Sequence, residues 1–360
     1  MKLKLITAFF IGIVVSIVTI ADTLLLKENH PETYTVVKGD TLWDISARFL
    51  NSPWLWPRLW QANNQIENPH LIYPGDLLTL IWVDGQPRLS RKRLKKLSPT
   101  PRLQEKQAAI PTIPLSAISA FLSRDHIIDP ELLIGAPRLL GDAMATPRFF
   151  EGDVFYGEGQ YDKHKLYGVY RLGKHYVDPV SKEFLGDQLI FIGHSEVSKD
   201  PNVSSTEYVT PHDFISSSRE ARQGDLILPI PEDETLPAYF LPQPVAKSTE
   251  GQILSALNNS RAIGKWDIVV INKGQRENIQ IGSMFAILQP GPGILVNKKR
   301  VVYQQDAPRF DQIGQPDLEI PAERIGELLI FKVYEKVSIA MVMRSTRVIG
   351  ANNTIQGLAF

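Results

Sequence analysis

The rhythm of hydrophobic and polar positions changes several times along the chain. Leu5 to Ile20 is apolar except for Thr7, Gly12, Ser16 and Thr19, with Lys2 and Lys4 ahead of it and Asp22 behind. That is the layout of a secretory leader, with small residues around Thr19-Ile20-Ala21 suited to cleavage after Ala21. The run is slightly short of the about 20 apolar residues of a membrane span. A cleaved signal peptide over 1–21 is therefore predicted, with a retained anchor as the alternative. From Tyr34 the pattern shortens. Tyr34–Val37 alternates and predicts a strand, and Gly39-Asp40 a turn. Leu42, Ile45, Ala47 and Phe49 make the apolar face of a helix over 42–49, capped by Asp40 or Thr41 and stopped by Asn51-Ser52-Pro53. A second helix is predicted from Trp54 to Ala62. Pro57 is tolerable there only near the first turn, because it lacks an N–H. Trp56 and Trp60 fall one turn apart on one face. Tyr73-Pro74-Gly75-Asp76 predicts a turn into a strand over 77–81.

From Gly152 onward, strand-like runs alternate with Gly, Asn, Asp and Pro punctuation, and no helical period of comparable length occurs. The expected fold class is α+β: a small βααβ domain over 34–82, then a mostly antiparallel β region. A linker over 83–115 separates them, with a short helix expected near Ser116–Leu122. The β region divides into a first module over 116–230, a Pro-rich link over 231–250 and a second module over 251–360. An internal repeat relates the two. Gly152-Asp153-Val154 corresponds to Trp266-Asp267-Ile268, and LGDQLIFIGHSEV from Leu185 to IGELLIFKVYEKV from Ile325. Chance similarity of strand patterns is the alternative.

Composition adds exclusions. The 360 residues carry 39 Lys+Arg against 39 Asp+Glu, so the whole chain is no polyelectrolyte binder and nucleic acid is not an expected partner. Cysteine is absent, which removes thiol catalysis, Cys-based zinc sites, disulfides and a lipid-anchored N-terminus. Positive charge is concentrated in RLSRKRLKK from Arg88 to Lys96, followed by Pro99, Pro101, Pro111 and Pro114. This reads as a solvated tether, with contact to anionic lipid head groups or acidic glycans as the alternative. Membrane contact is expected, if anywhere, at the leader or this run.

The stretch YTVVKGDTLWDIS from Tyr34, the Gln61-Ala62-Asn63-Asn64 exit and NPHLIYPGDLL from Asn68 resemble the LysM module. The resemblance implies binding of N-acetylglucosamine-containing glycan, as in peptidoglycan or chitin, in a groove between two loops. Gly39, Asp40, Thr41 and Leu42 would come from the first loop. Asn64, Ile66, Pro69, Ile72, Tyr73, Pro74 and Gly75 would come from the second. A neutral polymer of acetamides and hydroxyls suits a shallow groove with backbone donors and acceptors, which glycine lets approach closely. Leu42 and Trp43 serve equally well as core, and the Trp54–Trp60 cluster reads as packing ahead of sugar stacking.

PWLWPRLWQANN from Pro53, YGVYRLGKHYVDPVSKEFLGD from Tyr167, INKGQRENIQIGSMFAIL from Ile271 and IPAERIGELLIFKVYEKVSIAMVMRSTRVI from Ile320 resemble LysM-containing proteins associated with type IV pilus secretins. That Gram-negative family implies a non-catalytic periplasmic protein whose LysM holds the cell wall while its β region steadies an outer-membrane secretin ring. The chain departs from the pattern at Ala322, where an Asp usually follows the proline, and in a longer, more polar stretch from Gln304 to Glu319.

LysM modules also ride on wall hydrolases, so catalytic constellations matter. Gly193-His194-Ser195-Glu196-Val197 begins like a nucleophile elbow but lacks its last glycine and sits in strand pattern. His212-Asp213, His164 and His175 are isolated in sequence, and Glu151, Asp153 and Glu158 read as solvated loop acids. No cofactor, metal or enzymatic activity is expected. A wall-remodelling hydrolase and a generic envelope scaffold remain the competing readings.

Overall fold

A computed structural model describes residues 24–60, 72–92, 126–128, 130–200, 203–230, 240–297, 300–308, 314–351 and 353–359. The expected leader, Asn64, Ile66 and Pro69, basic residues 93–96, the helix near 116–122 and Pro-rich residues 231–239 lie outside the described residues.

The N-terminal domain contains β1 (Thr33–Thr35), α1 (Leu42–Phe49), α2 (Trp56–Trp60), β2 (Leu77–Val83) and β3 (Gln86–Lys92), with a 3₁₀ turn at Pro53–Leu55 leading into α2. Helix α1 starts where Thr41 turns its side chain on the first turn. Its Oγ1 accepts from Asp44 N at 3.0 Å and donates to Asp44 Oδ2 at 2.7 Å. The helix buries Leu42, Trp43, Ile45, Ser46 and Phe49. Strand β2 pairs antiparallel with β1 on one side and β3 on the other. Strand β3 corrects the expected boundary, because Arg88 to Lys92 belong to the sheet and not to a tether. Leu89 is fully buried and Arg91 reaches Asp76 at 3.3 Å, so this basic run alternates inward and outward like any edge strand.

The first β module comprises β4 (His126–Ile128), β5 (Leu139–Gly141), β6 (Val154–Glu158), β7 (Leu166–Val177), β8 (Phe184–Val197), β9 (Val209–Ser217) and β10 (Leu226–Pro229). The second comprises β11 (Glu250–Ala256), β12 (Ile268–Ile271), β13 (Met284–Gln289), β14 (Gly293–Asn297), β15 (Arg300–Tyr303), β16 (Leu318–Glu319), β17 (Glu323–Val333), β18 (Ser338–Ser345) and β19 (Thr354–Gly357). The sequence repeat is present in the topology. Strand order in the first is β5-β6-β9-β8-β7-β10, and in the second β11-β12-β18-β17-β13-β19, place for place. In the second module β11 pairs with β19 and closes a barrel. The first makes the same closure more briefly. Leu139 N donates to Asp225 O at 2.7 Å and Ile227 N to Pro137 O at 2.9 Å. Between β13 and β17 the second module inserts the small sheet β15-β14-β16, where the first has only the turn between β7 and β8.

The barrel strands are buried on both faces. Val269, Ile271, Phe285, Ile287, Leu328, Ile330, Ala340 and Val342 point into the barrel core. Their neighbours Ile268, Val270, Met284, Leu329, Phe331, Ile339, Met341 and Met343 point outward, yet they are buried too. The outward set belongs to one continuous cluster with Leu42, Trp43, Trp54, Trp56 and Trp60 of the N-terminal domain and with Ile127, Tyr176 and Leu185 of the first β module. Two-sided burial explains why IVVI from Ile268 and IAMVM from Ile339 read as unbroken apolar runs without alternation. The N-terminal domain thus packs on the last module in the chain.

Candidate glycan-binding site

Two turns of the same construction lie side by side in the N-terminal domain. In Val37-Lys38-Gly39-Asp40, Val37 N donates to Asp40 Oδ2 at 2.9 Å. In Tyr73-Pro74-Gly75-Asp76, Tyr73 N donates to Asp76 Oδ2 at 3.0 Å. Backbone bonds tie them together: Gly75 N to Val36 O at 2.7 Å and Val36 N to Asp76 O at 2.9 Å. Gly39 and Gly75 have φ of 98° and 93°, and nothing lies within 4 Å of where either Cβ would stand. Glycine is needed for the backbone angle, and it leaves open backbone on the surface.

The carboxylates are held in place. Asp40 Oδ2 also accepts from Tyr34 OH at 2.8 Å, and Asp76 Oδ2 pairs with Arg91. Burial, and then the Asp40 carboxylate, push the Tyr34 phenol above its ordinary value, so Tyr34 stays a neutral donor. The Arg48 guanidinium sits 4.7 Å over its ring.

The predicted site residues divide by exposure. Gly39 and Gly75 are exposed, and Asp40, Tyr73 and Pro74 are half-buried, on the two joined turns. Thr41 is 1% exposed and its side chain is spent on the α1 cap, while Leu42 and Ile72 are fully buried in the core. These three support the turns from below; their side chains present no surface. Trp54, Trp56 and Trp60 are likewise buried, which is the packing role.

Residues 34–80 match the family model for the LysM domain. The chain carries a LysM domain. A LysM domain implies a glycan-binding role of the peptidoglycan type. The chain is also similar to the uncharacterized protein YqbP of Bacillus subtilis (strain 168), at 38% identity over 64 residues. That match covers 15% of this chain and 29% of YqbP.

The β modules bring together residues that the sequence kept apart. Ser195 Oγ lies 3.3 Å from His212 Nδ1, across the β8–β9 pair. A serine beside a histidine is half of a nucleophilic pair, but both residues are fully buried. His212 stacks on Phe155 at 5.7 Å and meets the Tyr161 ring edge-on at 4.3 Å. Burial lowers its pKa to about 4, so it is neutral and sealed in the first module's core. Of the loop acids, Asp153 accepts from Phe150 N at 2.7 Å as a turn residue, and Glu151 and Glu158 are exposed. His175 contacts Asp187. Among the described residues no three His, Asp or Glu side chains converge as a metal site.

A cleft of about 750 Å³ separates the β7–β8 turn from the barrel. Its charges are largely matched across the boundary. Arg276 holds Glu183 at 2.8 and 3.2 Å, and Asn272 Nδ2 donates to Asp178 Oδ2 at 2.6 Å. The cleft is chiefly where the two β modules are stitched together.

Proposed function

We propose that the chain is an exported, non-catalytic peptidoglycan-binding protein of a Gram-negative periplasm, and that its β body holds or aligns an outer-membrane secretin such as that of type IV pili. The open pair of joined turns in the LysM domain carries the glycan part. It offers backbone groups and the half-buried Tyr73 and Pro74 to a neutral, hydroxyl-rich polymer. The leader pattern at 1–21 supports export. The resemblance of the stretches beginning at Pro53, Tyr167, Ile271 and Ile320 to secretin-associated proteins supports the second half.

Co-sedimentation of the leaderless protein with insoluble peptidoglycan tests the first half. The native chain pellets, and Gly39→Val with Gly75→Val, which close the turns, weakens binding by at least roughly tenfold, about 1.4 kcal/mol. Unchanged pelleting by that variant would place the groove elsewhere. A cleared zone in a murein zymogram that survives purification replaces the non-catalytic reading with a hydrolase. For the second half, secretin rings isolated with and without this protein are compared by cryo-electron microscopy. Peripheral density is expected only with it, and identical rings refute the secretin assignment.

A further inference from the structure

Among the described residues, five turns share one construction. Each donates its first N–H to the carboxylate of an Asp three residues on: Val37 to Asp40 (2.9 Å), Tyr73 to Asp76 (3.0 Å), Phe150 to Asp153 (2.7 Å), Arg222 to Asp225 (2.8 Å) and Gly264 to Asp267 (2.7 Å). In each the Asp N–H returns to the first carbonyl, at 3.0–3.2 Å. The third residue has positive φ every time. It is Gly39, Gly75, Gly152 and Gly224 in four of them, with φ of 90–98°. In the fifth it is Trp266, with φ of 74°. A bulky side chain in that region is a genuine outlier, and such strain persists where the side chain has a task.

The surroundings show the task. Trp266 packs against the cluster that joins the LysM core to the outer face of the barrel. Its ring lies 4.5 Å under Lys265 Nζ, and that ammonium stands 3.6 Å from Asp44 Oδ1 of the LysM domain. The other Asp44 oxygen takes the Thr41 hydroxyl, next to the first groove turn. The far end of α1 is pinned as well, because Arg344 Nη1 donates to Asn51 O at 3.3 Å. Lys265 and Asp44 are 46% and 37% exposed, so that ion pair by itself is weak, and the apolar contact must carry the attachment.

We infer that the Gly264–Asp267 turn is a docking element for the LysM domain, with Trp266 as its anchor and Lys265 as a positioning residue for the first groove turn. The inference rests on the LysM domain being the glycan-binding part, and it adds that this part rides on the barrel at a fixed angle. Load on the glycan then passes into the barrel through α1, and residues 93–125 need not bear it.

The absence of native cysteine makes the test direct. Spin labels are placed at Thr35→Cys on β1 and at Val348→Cys, an exposed barrel position. Distances are read by double electron–electron resonance in the otherwise native chain. One narrow distance is expected. Trp266→Gly restores the residue of the four sister turns, so the barrel keeps its circular dichroism and melting while the single distance is lost to a broad distribution. Trp266→Asn, which also tolerates positive φ, gives the same broadening by a different side chain. A broad distribution in the native chain, or a narrow one in both variants, overturns the inference. Pelleting on peptidoglycan is measured in parallel. If the native chain fails to pellet but keeps its narrow distance, the glycan reading falls and the docking stands.

Discussion

The two β modules have one strand order and two different outer surfaces. The place of Met341 in β18 is taken by Asp213 in β9, because Ile268 pairs with Met341 as Val154 pairs with Asp213, one residue after the turn Asp in each module. The place of Met343 is taken by Ile215, which is 42% exposed, whereas Met343 is 1% exposed. The barrel's outside is covered by the LysM domain and the first module, so its outward positions became core. Among the described residues, β4 and the segment after it form a smaller cover on the first module, which shelters Tyr170, Leu189, Phe191 and Leu226. A repeat preserves topology because pairing and turns set it. Its surface follows from what comes to lie on it.

The sharpest test of that contrast is a matched pair of truncations. Met341→Ala, at a fully buried outward position, should cost about 2–5 kcal/mol in chemical denaturation. Asp213→Ala at the equivalent place should stay within about 0.5 kcal/mol. Equal costs would mean that the barrel's outer face is not core.

Acid should separate the modules next. His212 is depressed from 6.5 to about 4 in the folded first module, so the neutral form is the folded form. Its contribution is complete above pH 6.5 and is lost as pH falls through about 4, an effect on the order of 3 kcal/mol. His212→Leu should flatten that loss in thermal melts monitored from pH 7 to 4. A NMR titration placing His212 near its ordinary value would break the argument.

A smaller effect comes from the shared turns. Gly152→Ala and Gly224→Ala put a Cβ on backbone at φ of 94° and 90°, and each should cost about 1–2 kcal/mol in the melting of the first module. No clash adds to this, because both sites open onto empty space.

The barrel carries a titration of opposite sign. Glu327 is 1% exposed at the LysM boundary, and burial raises its carboxyl above the usual range despite Arg324 at 2.7 Å and Arg344 at 3.9 Å. The group therefore favours the folded state below its ordinary value. That advantage is lost as pH rises through the elevated one. Glu327→Gln should remove this slope from the barrel's stability profile while leaving the His212 slope in place. A profile unchanged by the substitution would show that Glu327 titrates normally.

Much of the LysM site was legible from local chemistry. Asp40 or Thr41 ahead of an apolar helical face predicted a cap for α1; Thr41 is the residue that caps it, and the helix bounds are Leu42–Phe49 as expected. Gly-Asp at 39–40 and 75–76 predicted turns because glycine suits positive φ and Asp can bond its own backbone. Sequence could not divide the groove residues by depth. Leu42, Thr41 and Ile72 stand beside exposed turn residues in the chain and beneath them in space.

Other features were decided by contacts between segments far apart. Arg88 to Lys92 look like a tether until β2 supplies a partner, after which the same residues are an edge strand. Ser195 and His212 are unrelated in sequence and meet only through the β8–β9 register, inside a core. The turns, the capped helix, the LysM domain and the order of two repeated strand sets were all readable from local pattern, because each follows from neighbours within a few residues. Tertiary structure decided that the LysM domain rests on the last module, and why a tryptophan stands where four sister turns have glycine. That depends on which apolar surfaces lie opposite one another, and no local pattern carries it.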